Sequence, residues 1–343
     1  MADTFATSFE VLNYSGQLFN KGNTKTPFSS MIGGRAKTTN SVEFVVGQSY
    51  TSGGGTQPAI SETASLTAPD ATVTKRAQMT NVTQMFQETV GVSYGKMSNM
   101  GTLSGANIAN QQANPLNELD FQVAAKMEKV RADMEYTFIN GAYNKATTDA
   151  TINKTRGMLT AITTNKIAMN NKPLGLWDIA DGMKKIYEAN APTTGLVLWC
   201  DATTLFQINA DAAANGLTIV PAAREVNGIQ LSSVITPLGV VYLYLGSYIP
   251  AGSAMLCNMD VVAPVFQPVP GKGNFFLEPL AKVGAGEKYQ LFGQVGLDHG
   301  PEWYHCKWTG ISTSFTAPSA VKTVAISSSE AAPVFTKAVT AGA

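Results

Sequence analysis

Asn114-Pro115-Leu116-Asn117-Glu118-Leu119 opens the stretch that decides the fold, and Thr137-Phe138-Ile139-Asn140-Gly141 closes it. Asn114 is a good helix N-cap, and Pro115 suits the first helical position. Apolar residues follow at Leu116, Leu119, Val123, Met127, Val130, Met134 and Phe138. Their steps are 3, 4, 4, 3, 4 and 4, which is one face of an α-helix. Gly141 is a natural stop. A helix over 114–141 would be a rod of about 40 Å at 1.5 Å per residue. Its charges, Glu118, Asp120, Lys126, Glu128, Lys129, Arg131, Asp133 and Glu135, read as a solvated face rather than a catalytic carboxylate pair.

Upstream, Ser41-Val42-Glu43-Phe44-Val45-Val46 reads as a strand. It runs into a loose tip around Gly53-Gly54-Gly55, and a return strand is expected over Ala71–Arg76 and beyond. Residues 35–80, roughly, thus read as a long two-stranded arm with a loose end. Such a hairpin is marginal alone, because it cannot bury its own surface. Residues 1–33 carry no sustained period and read as an extended arm lying against something else.

Downstream of Pro173, Leu176, Ile179, Ala180, Met183, Ile186 and Tyr187 mark a second helix. Gly195-Leu196-Val197-Leu198-Trp199-Cys200 is an unbroken apolar run of strand length, which implies a strand buried on both faces. Asp201 can cap a short helix through Leu205 and Ile208 that ends near Asn215-Gly216. A tight turn at Val226-Asn227-Gly228-Ile229 precedes strands over 232–236, 240–245 and 254–257. Further strands are expected at Phe275–Leu277, Tyr289–Val295 and Trp303–Trp308. The residues after about 316, rich in Ala, Ser, Thr and Val, show neither helical nor strand period.

The chain has 343 residues, with 24 Lys and Arg balanced by 24 Asp and Glu, and only 14% of residues are charged. Soluble domains carry roughly 25%. With no basic excess, a reader of nucleic-acid phosphates is not indicated. So little charge, summing to zero, defends a lone subunit poorly against association. Much of this surface is therefore not meant to face water. No apolar run approaches the ~18 residues of a membrane span. Met1-Ala2-Asp3-Thr4-Phe5 shows neither a basic leader nor an apolar signal core.

Chemistry-bearing residues are few. Cys200, Cys257 and Cys306 are odd in number and widely spaced, and read as small buried hydrophobes of a reducing compartment. His299 and His305 lie in Asp298-His299-Gly300-Pro301-Glu302-Trp303-Tyr304-His305-Cys306, a spacing that matches no metal motif. In a strand, residues 302, 304 and 306 would also face away from 303 and 305. Gly53-Gly54-Gly55 and Gly284-Ala285-Gly286 lack phosphate-loop spacing, Lys272 and Lys288 read as turn residues, and no nucleophile motif occurs. No catalytic residue, cofactor or metal site is expected.

The order of segments resembles the major capsid protein of tailed bacteriophages, with the Hong Kong 97-type α+β fold. Val226-Asn227-Gly228-Ile229 with Val234-Ile235-Thr236-Pro237-Leu238-Gly239-Val240-Val241 is similar to a hairpin of that family's axial domain, as is Ile249-Pro250-Ala251-Gly252 with Leu256-Cys257-Asn258-Met259-Asp260. Glu278-Pro279-Leu280-Ala281-Lys282-Val283-Gly284, with Glu287-Lys288 and Gly296-Leu297-Asp298, resembles returning strands of its peripheral domain. The likeness is to the subgroup without a fused scaffolding region and spans roughly 1–315.

The resemblance implies an N-terminal arm over 1–33, an extended loop over 34–80, and a peripheral domain over 81–173 with a spine helix at 114–141. An axial domain over 174–270, peripheral return strands over 271–315 and a C-terminal tail over 316–343 complete the chain. It implies a structural subunit assembling into hexamers and pentamers of an icosahedral head around double-stranded DNA, without sequence-specific binding and without a membrane. A separate scaffolding protein, a portal and decoration proteins would be its partners, with assembly in the bacterial host cytoplasm and no pro-segment removed. In the family's namesake a loop lysine joins a neighbour's asparagine. Gly47 through Ala64 holds no lysine, so no covalent cross-link is expected. The alternatives are an encapsulin-like or other shell-forming protein such as a surface-layer subunit, or an enzyme whose pocket would carry His299 or His305.

Overall fold

The computed structural model describes residues 25–51, 55, 57–68, 70–95, 118–214, 220–226 and 229–315. In chain order these form α1 (Pro27–Ile32), β1 (Lys37–Thr38), β2 (Glu43–Tyr50), α2 (Glu62–Ser65), β3 (Arg76–Val82) and β4 (Gln84–Ser93). The long helix α3 (Glu118–Asn140) follows, then α4 (Met158–Ala161), β5 (Lys166–Lys172), α5 (Leu176–Glu188), β6 (Leu196–Cys200) and α6 (Ala202–Ala214). The rest is β7 (Val220–Val226), β8 (Ile229–Thr236), β9 (Gly239–Leu245), β10 (Ser253–Asn258), β11 (Ala263–Phe266), β12 (Phe275–Pro279), β13 (Gly286–Asp298) and β14 (Cys306–Ile311).

A seven-stranded sheet runs β5-β14-β10-β6-β9-β8-β7. A five-stranded sheet is built on β13, which pairs β4 along one edge and β12 then β11 along the other, with β1 parallel to β11. β2 and β3 form a separate antiparallel hairpin. Alternation along β6 explains its unbroken apolar run. Val197 and Trp199 point into one core with Met255 and Cys257 of β10, while Leu196, Leu198 and Cys200 enter a second core with Ala254 and Leu256. Both faces are dry, so neither set of positions can be polar.

The first core lies between the two sheets and beneath α3. There Phe86, Leu291, Val295 and Leu297 of the five-stranded sheet meet Val197, Trp199, Val130 and Phe138. The second core lies under α5 and α6, where Ile179, Met183, Ile186 and Ile208 cover Trp308 and Leu256.

The long helix keeps the expected stripe with two changes. Val130 and Phe138 are buried, but Met127 is 40% exposed. Glu135, expected on the solvated face, is fully buried. Asn114 and Pro115, the expected helix start, lie outside the described residues. The helix stops at Asn140 because Gly141 passes too close to its neighbours for any side chain. A Cβ there would sit 2.5 Å from the carbonyl oxygens of both Thr137 and Thr155.

Four further expectations change. Residues 27–32 are not loose arm but a short helix with Phe28, Met31 and Ile32 buried. The segment 271–315 is divided: β12 and β13 join the five-stranded sheet, while β14 pairs β10 and β5 in the other. Residues 302–304 form a 3-10 turn, so the last strand begins at Cys306 and not Trp303. Lys288 lies within β13, although Lys272 does sit in a turn. The β7–β8 hairpin forms as expected, with Val226 opposite Ile229; Asn227, Gly228, Asn215 and Gly216 lie outside the described residues.

Candidate functional site

His299 and His305 are fully buried, and their hydrogen bonds fix both tautomers. The Asn258 N–H donates to Nδ1 of His305 (3.2 Å), so Nε2 carries the proton and donates to the His299 carbonyl at 2.7 Å. His299 Nδ1 donates to the Gly300 carbonyl at 2.8 Å. Burial pushes both imidazoles down to about 4 because the charged form loses its hydration. The thiols go the other way: burial lifts Cys200 and Cys306 to about 12 and Cys257 higher still. At neutral pH these groups are uncharged and buried, which suits packing rather than proton transfer. Glu302 accepts from the Thr163 and Thr164 N–H groups and the Thr164 hydroxyl. Among the described residues, no group of three His, Cys, Asp or Glu side chains could hold a metal ion.

A cleft of about 480 Å³ opens between α5 and α6, lined by Leu174, Trp177, Asp178, Gln207, Asp211 and Phe315 among others. Its carboxylates serve the start of α5. Asp178 accepts from the Gly175 N–H and Asp211 from the Leu176 N–H, both at 2.8 Å. These bonds satisfy N–H groups that a helix start leaves open, so the pair is a cap rather than an acid and base.

The hairpin β2–β3 offers a different kind of site. Its base is tied to the body: Val46 and Val82 are buried, and Asn81 donates to the Leu297 carbonyl at 2.7 Å while accepting from the Arg156 N–H at 2.8 Å. Glu43 pairs with Lys145 at 2.5 Å. A register shift between Val45 and Gly47 marks where the hairpin leaves. Beyond it Ile60, Leu66 and Val73 are 71–85% exposed, and Tyr50 is exposed too. Large apolar side chains on a protruding ribbon have no core of their own to join, and fit a neighbouring surface. Trp177 on α5, Ile235 on β8 and Val283 just before β13 are exposed as well, so apolar surface is offered by several elements. That matches a subunit with few charges.

Comparison with known proteins gives a consistent answer. A capsid chain of cyanophage A-1(L) is 10% identical, aligning over 89% of this chain and 98% of its own with a TM-score of 0.60. The SrpI encapsulin of Synechococcus elongatus, in its holo complex, is 10% identical over 88% of this chain and 94% of its own, with a TM-score of 0.59. A chain of Mycobacterium phage Che8 is 14% identical over 88% and 97%, at 0.51. These likenesses establish the Hong Kong 97-type fold. No curated protein matches the sequence. The family model described as SU10 major capsid protein matches residues 1–312. The chain therefore belongs to the SU10 major capsid protein family, and is a structural, non-enzymatic subunit of a bacteriophage capsid.

Proposed function

We propose that this capsid subunit closes its shell through overlap, the β2–β3 hairpin of each copy lying across the next copy in hexamers and pentamers. The observation that carries this reading is the exposure of Ile60, Leu66 and Val73 on a ribbon whose described anchors lie at its base. Heterologous contacts of this kind generate rings and then closed shells.

On the same reading the five-stranded sheet and α3 form a peripheral domain, and the seven-stranded sheet with α5 and α6 forms an axial domain that meets its copies around five- and six-fold axes. Residues 1–33 and 316–343 supply an arm and a tail, although α1 belongs to the body. Scaffolding comes from a separate protein, the head carries a portal and decoration proteins, and assembly takes place in the bacterial host cytoplasm. Double-stranded DNA is enclosed without base recognition, in keeping with a net charge of zero.

Replacing residues 52–74 with a short turn tests the overlap. Electron microscopy should show shells from the intact chain and only small oligomers from a variant that keeps its circular dichroism; normal shells from that variant would defeat the proposal. An encapsulin-like compartment is a second reading, favoured by the likeness to the SrpI encapsulin. It is separated by content: nucleic acid inside the particle supports a head, and packaged protein a compartment.

A further inference from the structure

Residues 27–39 touch three parts of the molecule at once. Phe28, Met31 and Ile32 are buried in the core between the two sheets, and the Phe28 ring meets Trp199 of β6 edge-on at 5.2 Å. The N–H groups of Phe28 and Ser29 donate to the two oxygens of Glu135 on α3, each at 2.7 Å, and the Ser29 hydroxyl adds a third bond. Farther along, Arg35 pairs with Asp260 just past β10 at 3.2 Å, and Lys37 with Asp298 at the end of β13 at 2.6 Å. β1 then runs parallel to β11, and the Thr39 N–H donates to the Phe266 carbonyl. The segment thus bonds to the long helix, the seven-stranded sheet and the five-stranded sheet within thirteen residues.

We infer that residues 27–39 form a strap that holds the two sheets in one relative orientation, and that Glu135 is its latch. Glu135 is fully buried, and among the described residues the donors that hold its carboxylate come from the strap. Lifting α1 would leave that carboxylate without hydrogen bonds in an apolar setting, where an unpaired charge is very costly. Helix and latch therefore open together or not at all. Each sheet keeps its own ladder when they do, so the motion released is a change of angle between sheets rather than their melting.

The test measures that angle in the full chain. Ile235 on β8 and Leu277 on β12 are exposed, and Ile235→Cys with Leu277→Cys places one spin label on each sheet. Native Cys200, Cys257 and Cys306 are buried and stay unlabelled. Labelled chain diluted in unlabelled chain should give a narrow distance distribution by pulsed electron resonance. Glu135→Gln places an amide donor against backbone donors and should broaden it about twofold, with the Phe28 and Ser29 amides exchanging about tenfold faster. Val130→Ala weakens the same core without touching the strap, and should leave the width unchanged. Should Glu135→Gln fail to fold, Arg35→Ala with Lys37→Ala opens the other end and must broaden the distribution instead. An unchanged width in the folded latch or double variant, or equal broadening by Val130→Ala, overturns the inference.

Discussion

The backbone of Gly182 lies against the Trp308 indole so closely that a Cβ on Gly182 would sit 2.3 Å from its Cζ2 atom. This contact seats α5 on β14 and closes the second core. A glycine inside a helix normally weakens it by about 1 kcal/mol relative to alanine. Here the glycine permits a fully buried tryptophan to pack directly against the helix backbone.

Gly182→Ala should therefore destabilise the fold despite the gain in helix propensity. Forcing atoms into a packed core costs about 1–3 kcal/mol, and the rigid ring cannot swing away as a lysine chain would. A lower urea midpoint with an unchanged slope is the expected result. A midpoint equal to or above that of the parent chain would show that α5 can slide off Trp308.

On α3 the two neighbouring apolar positions should behave differently. Val130 is 5% exposed, so Val130→Asp puts an unpaired charge into the first core and should cost on the order of 3–5 kcal/mol. Met127 is 40% exposed, and Met127→Asp should cost less than about 1 kcal/mol. Soluble yield and thermal midpoint of the two variants, side by side, decide the matter. Equal losses would mean that Met127 is covered.

That difference shows where sequence reading reaches its limit. The stripe on α3 and the run Leu196–Cys200 were legible because burial dictates their period directly. β4 was not, and Glu88 is the reason. Residues 86, 88, 90 and 92 share one strand face, with Phe86, Val90 and Val92 buried, but the charge of Glu88 interrupts the pattern. Its carboxylate stays on that face because Lys126 and Lys129 reach it from α3, and these ion pairs hold it below the usual carboxylate range. Neither lysine adjoins it in sequence. α1 was hidden for a similar reason: six residues show no period, and the bonds that hold its start come from Glu135, 107 positions away. The β2–β3 hairpin was legible from its strand patterning, while its anchors at Asn81, Leu297 and Arg156 come from contacts distant in sequence.

Acid should weaken the subunit before the carboxylates titrate. His299 and His305 sit near 4 in the fold against an ordinary value of 6.5. The unfolded chain therefore binds more protons between those values, and stability falls as pH drops through that window. The effect of two such imidazoles is on the order of a few kcal/mol. Protonated His305 would also turn an Nδ1–H against the Asn258 N–H that now donates to it. Glu135 acts in the opposite sense: burial raises its carboxyl, so its ionisation weakens the fold as pH rises. Urea midpoints of dissociated subunits should fall steadily from pH 7 to pH 4.5, and less steeply in His305→Gln. A flat profile over that range would show that the imidazoles are not held neutral.

Without a covalent lock, particles boiled in denaturing detergent should run as one band near 36.3 kDa. A lysine–asparagine link needs an amine that is both uncharged and placed where the hairpin meets its neighbour. No lysine occurs between Gly47 and Ala64. Lys37, near the hairpin base, is bound to Asp298 at 2.6 Å, and Lys75 is exposed to water just before β3. Among the described residues, Lys307 is the amine that burial depresses; it stands on β14 and donates to the Leu159 carbonyl of α4, far along the chain from the hairpin. No amine of the described hairpin thus combines desolvation with reach, and the expected outcome is a shell held by contact alone. A ladder of dimers, pentamers and hexamers that survives reducing agent would overturn this, and mass spectrometry of its bands would locate the amine that did the work.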